Sequence, residues 1–324
     1  MNLFITNREI VTVGTSEMIR SDGKEHAGDN LRFGEYLDGK LILFPEPENE
    51  MEISYVGIKK LQPTDLKGSS RFFKQLYDGL TTNKGDVLFF IHGFNTDLND
   101  VKDCFDRLNK RYVIDGSPIK HIVIFTWPSK SPDIPLHYRD DQYDAQRSGI
   151  TLARCFEKVV IFFNRFLKQD ENAPCQRHIH LMAHSMGNQV LEFMLLSLPH
   201  KYELFREIIL VAADVEYTIF DPHEPFEKLI DIGYRVHIYF HEHDVVLDIS
   251  KYTKNFNNRL GRYGRKSTDN MKDVFDIDVT HTKDDFDQSI GINELNHWYY
   301  YSSTDVVKDI IRVLNGKDSK YIVK

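Results

Sequence analysis

In the stretch HLMAHSMGNQVLEF, residues 180–193, an apolar run breaks at Ala183-His184-Ser185-Met186-Gly187 and an amphipathic, helix-forming stretch follows at once. A serine hydroxyl is a weak nucleophile unless a base takes its proton and the developing oxyanion meets donors. The residues two places before and after Ser185 are small, Ala183 and Gly187. A nucleophile raised on a sharp strand-to-helix turn demands this, because larger side chains would collide inside the strained turn. The segment is a variant of G-x-S-x-G with alanine first, and the helix behind it would aim free N–H groups and its positive dipole end at the serine. A serine that merely caps a buried helix would give the same string. The apolar run before it favours the elbow.

Such a serine needs a base, and the base needs a carboxylate to orient it. In hydrolases built this way the chain order is serine, then an acid after a later strand, then histidine. Asp244 follows the run RVHIYF (235–240) through HEHD, and His297 lies in ELNHWYY before the last helix, so the order is present. Asp214 in LVAADVE and Asp248, one helical turn beyond Asp244, compete for the acid's place. A helix N-cap and a solvated helix position account for them more simply. His281, directly after the last strand run, is the rival base. For the oxyanion, the loop His92-Gly93-Phe94-Asn95 offers the N–H of Phe94 and the elbow offers that of Met186, with Gly93 allowing close approach. His92 is expected to pack or hydrogen-bond at the pocket rather than to move protons.

These groups converge only if strands and helices alternate. From Asp86 onward they do: strand candidates at 87–91, 121–127, 178–183, 207–213, 235–240 and 274–279 are separated by helix candidates at 97–111, 139–168, 188–198, 223–231 and 303–314. That is the pattern of a mostly parallel sheet flanked by helices, with Thr96 or Asp97 as the first N-cap. Residues 1–84 read as a β-rich extension of the same domain, with strands at FITN (4–7) and LILF (41–44), and 85–324 as the catalytic core. No internal repeat and no Pro/Gly/Ser-rich linker divides the chain.

The 324 residues, 41% hydrophobic and 28% charged with a net charge of −8, have the balance of a soluble globular protein. An acidic total argues against non-specific nucleic-acid binding, which needs a basic face. Cys104, Cys155 and Cys175 are odd in number and lack ligand spacing, so a reducing compartment and no disulfide framework are expected. MNLFITNREI has no basic n-region and no apolar run reaches spanning length, so the expected location is cytoplasmic, with no membrane span.

Other patterns carry less. His241-Glu242-His243-Asp244 suggests zinc ligands, but Val245 and Val246 stand where further ligands would be needed, so no metal is expected. His178 and His180 share a strand face and read as edge or packing residues. Trp127, in TWPS at a strand's end, could line the acyl pocket or plug the core. Between 251 and 266 six basic residues, Arg262 among them, precede an Asp-rich stretch. Two solvated segments that neutralise each other explain this most simply; a basic cover over the site mouth that selects anionic substrates is the sharper reading.

LFITNR (3–8), HGFN (92–95), TWPS (126–129) and AHSMGN (183–188), in this order, resemble a bacterial family of lipase- and esterase-like α/β hydrolases without an established function. The resemblance runs from the first strand to His297. It implies the α/β-hydrolase fold, a serine hydrolase mechanism and Ser185 as nucleophile, but no substrate. This chain departs from its relatives beside the acid, which follows His241-Glu242-His243, and beside the histidine, which follows Asn296 rather than glycine. The expectation is a cofactor-free serine hydrolase acting on a small-molecule carboxylic ester or thioester. A non-catalytic binding module on the same scaffold is the alternative.

Overall fold

Strands that read as unbroken apolar runs do so because helices cover both faces of their sheet. The computed structural model describes residues 1–20, 26–47, 61–82, 85–129, 138–166, 177–201, 203–253, 257–267, 271–282 and 295–323. Its strands are β1 (Asn2–Thr6), β2 (Ile10–Val13), β3 (Ser16–Ile19), β4 (Arg32–Leu37), β5 (Lys40–Leu43), β6 (Asp86–Ile91), β7 (Ile119–Thr126), β8 (Ile179–His184), β9 (Phe205–Val211), β10 (Gly233–Phe240) and β11 (Val274–Asp278). The helices are α1 (Gly68–Thr81), α2 (Leu98–Tyr112), α3 (Tyr138–Phe166), α4 (Gly187–Ser197), α5 (Val245–Thr253), α6 (Leu260–Tyr263), α7 (Tyr299–Ser302) and α8 (Thr304–Leu314).

Nine strands form one sheet in the order β11-β10-β9-β8-β6-β7-β1-β4-β5, and β2 and β3 form a separate hairpin. From β11 to β1 every pairing is parallel; β4 and β5 close the edge antiparallel. Successive residues of β6 serve opposite layers, as strand geometry requires. Val87 and Ile91 pack under α1, α3 and α4 with Phe72, Phe156 and Val190. Leu88 and Phe90 pack under α2 and α8 with Phe105 and Ile310. No helix among the described residues is long and apolar enough to cross a membrane.

The six strand runs of the core and four of its five helix candidates lie where the sequence puts them. The fifth, 223–231, is instead a 3-10 turn over Pro225–Asp231, whose two buried residues, Phe226 and Leu229, are three apart and suit the tighter winding. Asp97, not Thr96, caps α2, accepting from the N–H groups of Asn99 and Asp100 while Asp100 reaches back to the Asp97 N–H. β8 lies inside the sheet, so His180 is no edge residue: it is fully buried and pairs with Asp86 at 3.2 Å.

β6 runs between β7 and β8, so the chain winds away from it in both directions, and the crevice at the strands' carboxyl ends opens there. The register pairs Ile91 with Ala183, which sets the loop after β6 directly beside the turn after β8. The sheet order thus brings together His92–Asn95 and Ser185.

Candidate active site

Ser185 follows the last residue of β8 at a φ of 53°, a left-handed conformation that a side-chain-bearing residue adopts only under constraint. The constraint is visible. Its N–H donates to Val211 O at 3.1 Å, and its carbonyl accepts from Asp214 N at 3.1 Å and from Asn188 N at 3.0 Å. The Asn188 side chain adds bonds to the carbonyls of Ala183 and Ser185. A Cβ on Gly187 would stand 2.6 Å from the carbonyl oxygens of both Ile91 and His92. These are backbone atoms fixed by the sheet and cannot turn aside. Gly187→Ala is therefore expected to cost about 1–3 kcal/mol, read as a lower Tm, and an unchanged Tm would refute the tight elbow. Gly93 is equally confined, since a Cβ there would meet Ser185 Cβ at 2.9 Å.

The candidate acid and the candidate base come from two loops on the same side. Asp244 Oδ2 lies 2.7 Å from His297 Nδ1, and both residues are buried. Asp244 Oδ1 accepts the Leu247 N–H at 2.9 Å, so one carboxylate both caps α5 and orients the imidazole. The loops are tied together by Val245 N–H to Leu295 O at 3.1 Å and by Asn296 Nδ2 to His243 O at 3.1 Å. Asn296 takes a φ of 51°, and asparagine tolerates that region better than most side-chain-bearing residues. With Nδ1 held, Nε2 is the nitrogen left for the serine. No hydrogen bond joins Ser185 Oγ to His297 among the described residues, a contact that commonly tightens only around substrate.

The competitors are placed elsewhere. Asp214 accepts from Ser250 Oγ at 2.6 Å and from Gln189, and pairs with the buried Arg259 at 3.5 Å, so it is a buried ion-pair member rather than a helix cap. Asp248 is partly exposed on α5 and pairs with Arg262. His281 is exposed.

In the loop after β6, His92 Nε2 accepts the Trp127 N–H at 3.1 Å, which leaves its Nδ1 as the donor to Gly93 O at 2.9 Å. Burial, with Arg8 nearby, takes its pKa down to about 3, so it is a neutral brace. Trp127 is fully buried, stacks on His92 and donates to His92 O at 3.0 Å; it is a core plug and does not line the cavity. Arg262 does not line it either, since its guanidinium is held by Glu242 O and Asp248. The basic stretch is solvated only in part: the Arg259 and Arg265 side chains are buried against Asp214 and Asp276, whereas Lys266 is exposed. Lys254 lies outside the described residues.

The cavity holding Ser185 and His297 measures about 480 Å³, within the usual range for small-molecule sites. Phe94, Val246, Ile249, Leu295 and Trp298 give it apolar walls, and Asp100, Cys104 and Arg107 reach it from one face of α2. Burial pushes the Cys104 thiol up to about 12, which disfavours its thiolate form. His184 faces His297 with ring centroids 4.8 Å apart and donates from Nε2 to the His297 carbonyl at 3.2 Å. Burial, then the neighbouring His297, hold its pKa well below the ordinary histidine value. No group of three or more His, Cys, Asp or Glu side chains among the described residues is placed to hold a metal ion.

Three buried imidazoles, His92, His184 and His121, the last lowered to about 4 by burial, are thus neutral when folded but protonate near 6.5 when unfolded. Folded values below unfolded ones contribute stability that is full above about pH 6.5 and is lost as pH falls towards the folded values. Tm should therefore drop between pH 7 and pH 5. A flat Tm across that window would show that these rings are not buried neutral.

A family model described as alpha/beta hydrolase of unknown function (DUF900) matches residues 70–314. The chain belongs to that family. A search of curated proteins finds none that matches it. The family's α/β-hydrolase fold is the one the sheet shows, with the N-terminal strands β1, β4 and β5 added at its edge.

Some contributors were not evident from the sequence. Arg8, buried just after β1, donates to Thr96 O at 2.6 Å and to Thr126 Oγ1 at 2.9 Å, and Ser129 Oγ accepts the Thr96 N–H. LFITNR and TWPS stand out as segments, and an arginine ending an apolar strand was the available signal. The α2 residues at i, i+4 and i+7 were legible only as a helix face.

Proposed function

We propose that this α/β hydrolase is a serine hydrolase that cleaves a carboxylic ester or thioester through an acyl-enzyme on Ser185. The observation that carries the reading is the buried Asp244–His297 pair, whose imidazole lines the same cavity as a serine held at positive φ. In the reaction Ser185 Oγ attacks the carbonyl carbon and its proton passes to His297 Nε2, while Asp244 fixes the tautomer and steadies the imidazolium. The oxyanion is received by the N–H groups of Met186 and Phe94; that of Met186 makes no hydrogen bond among the described residues. The intermediate expels the alcohol or thiol, which takes the proton from Nε2. Water then gives its proton to Nε2 and attacks the acyl carbon, and the carboxylic acid leaves as Ser185 regains its hydrogen. The chemistry uses no cofactor.

A fluorophosphonate probe, followed by peptide mapping, tests this directly. Covalent label on Ser185 is expected. Folded protein that stays unlabelled would overturn the proposal and leave a non-catalytic binding module.

A further inference from the structure

We infer that Arg107 anchors a carboxylate on the substrate, so that the preferred ester or thioester bears a single negative charge away from the scissile bond. The inference rests on the proposed hydrolase reading and names its substrate class. Among the described residues lining the cavity Arg107 carries the one permanent positive charge. Two acids share the wall, and both are engaged: Asp214 with Arg259 and Ser250, and Asp100 with the Asp97 N–H at the start of α2.

The guanidinium is positioned rather than loose. It lies over the Tyr301 ring at 5.1 Å from the centroid and donates to the Tyr301 hydroxyl at 3.2 Å, so α7, which follows His297, sets its place. Its carboxylate partner is weak: Asp103 stands 3.9 Å away and is 60% exposed, a solvated pair that contributes little. A planar fork of N–H donors with such a partner can take up a ligand carboxylate in bidentate fashion. With Asp100 and Asp103 near, a monoanion fits this wall better than a dianion. The remaining walls, Phe94, Val246, Leu295 and Trp298, would take the apolar part of the acyl or alcohol group. The charge that the sharper reading of the 251–266 stretch would bring to the site is on this inference supplied from α2.

The test pairs a neutral short-chain ester with its analogue ending in a carboxylate, and two fluorophosphonates built the same way. They are compared on the wild type, Arg107→Gln and Arg107→Lys. Arg107→Gln should lower kcat/KM for the anionic ester roughly tenfold to hundredfold more than for the neutral one, mainly through KM. Arg107→Lys should fall between, and added salt should shrink the wild-type preference because Arg107 is partly exposed. Labelling rates of Ser185 by the two fluorophosphonates should shift in the same ratio. Equal losses on both members of each pair would mean that Arg107 only supports the wall, and the inference would fall while the hydrolase reading stood. No labelling of wild-type Ser185 by either probe would remove both.

Discussion

Replacing Ser185 by alanine is expected to lower kcat by on the order of 10⁶, about 8 kcal/mol of transition-state stabilisation, and to abolish probe labelling. The residue's structural duties are all carried by its backbone: its N–H to Val211 and its carbonyl to Asp214 and Asn188. Alanine keeps those bonds and suffers no more than serine at a φ of 53°. Loss of turnover should thus come with little change in Tm, and the residual rate should reflect binding and the oxyanion donors alone. Turnover within tenfold of wild type would mean that another group attacks the carbonyl.

Asp244→Asn is the next largest effect, up to about 10⁴ in kcat, near 5.5 kcal/mol. An asparagine can still accept the Leu247 N–H through Oδ1, so α5 keeps its cap. Its Nδ2 would then face His297 Nδ1 as a donor and force the proton onto Nε2, the wrong nitrogen to receive one from Ser185. Asp214→Asn should do the opposite. It loosens the buried pair with Arg259, so its cost, on the order of 3 kcal/mol, should appear in Tm rather than in kcat of the folded enzyme. If the two ranked the other way, with Asp214→Asn abolishing turnover at unchanged Tm, the acid would belong to the turn after β9.

The two acids also show what the sequence could and could not say. Asp244 could be put forward from the sequence because strand, turn, acid and later histidine form an order with a mechanism behind it, and the fold sets it 2.7 Å from His297. Asp214 was misread as a helix cap because its partners, Arg259, Ser250 and Gln189, arrive from three distant segments, and ion pairs across a fold have no local period. The same holds for Arg262. A run of basic residues looks solvated or exposed from composition alone, yet Arg259, Arg262 and Arg265 each meet a carboxylate, Asp214, Asp248 and Asp276 in turn. The strands of the core were plain because burial on both faces leaves an unbroken apolar signature. The 3-10 turn at 225–231 was not, because its apolar residues fit either winding. For Trp127, aromatic bulk at a strand's end suits a pocket wall and a core plug equally, and only the His92 ring stacked on it separates them.

Arg8 has a practical corollary for anyone trimming this chain. The family match begins at residue 70, and expressing the matched segment alone would appear to give a minimal hydrolase. Such a fragment would lack β1, whose removal exposes the edge of β7, and with it the guanidinium that secures the loop carrying Phe94. The smallest transferable unit therefore starts at the first strand, and a fragment cut at residue 70 should be judged by its fold before its activity is measured.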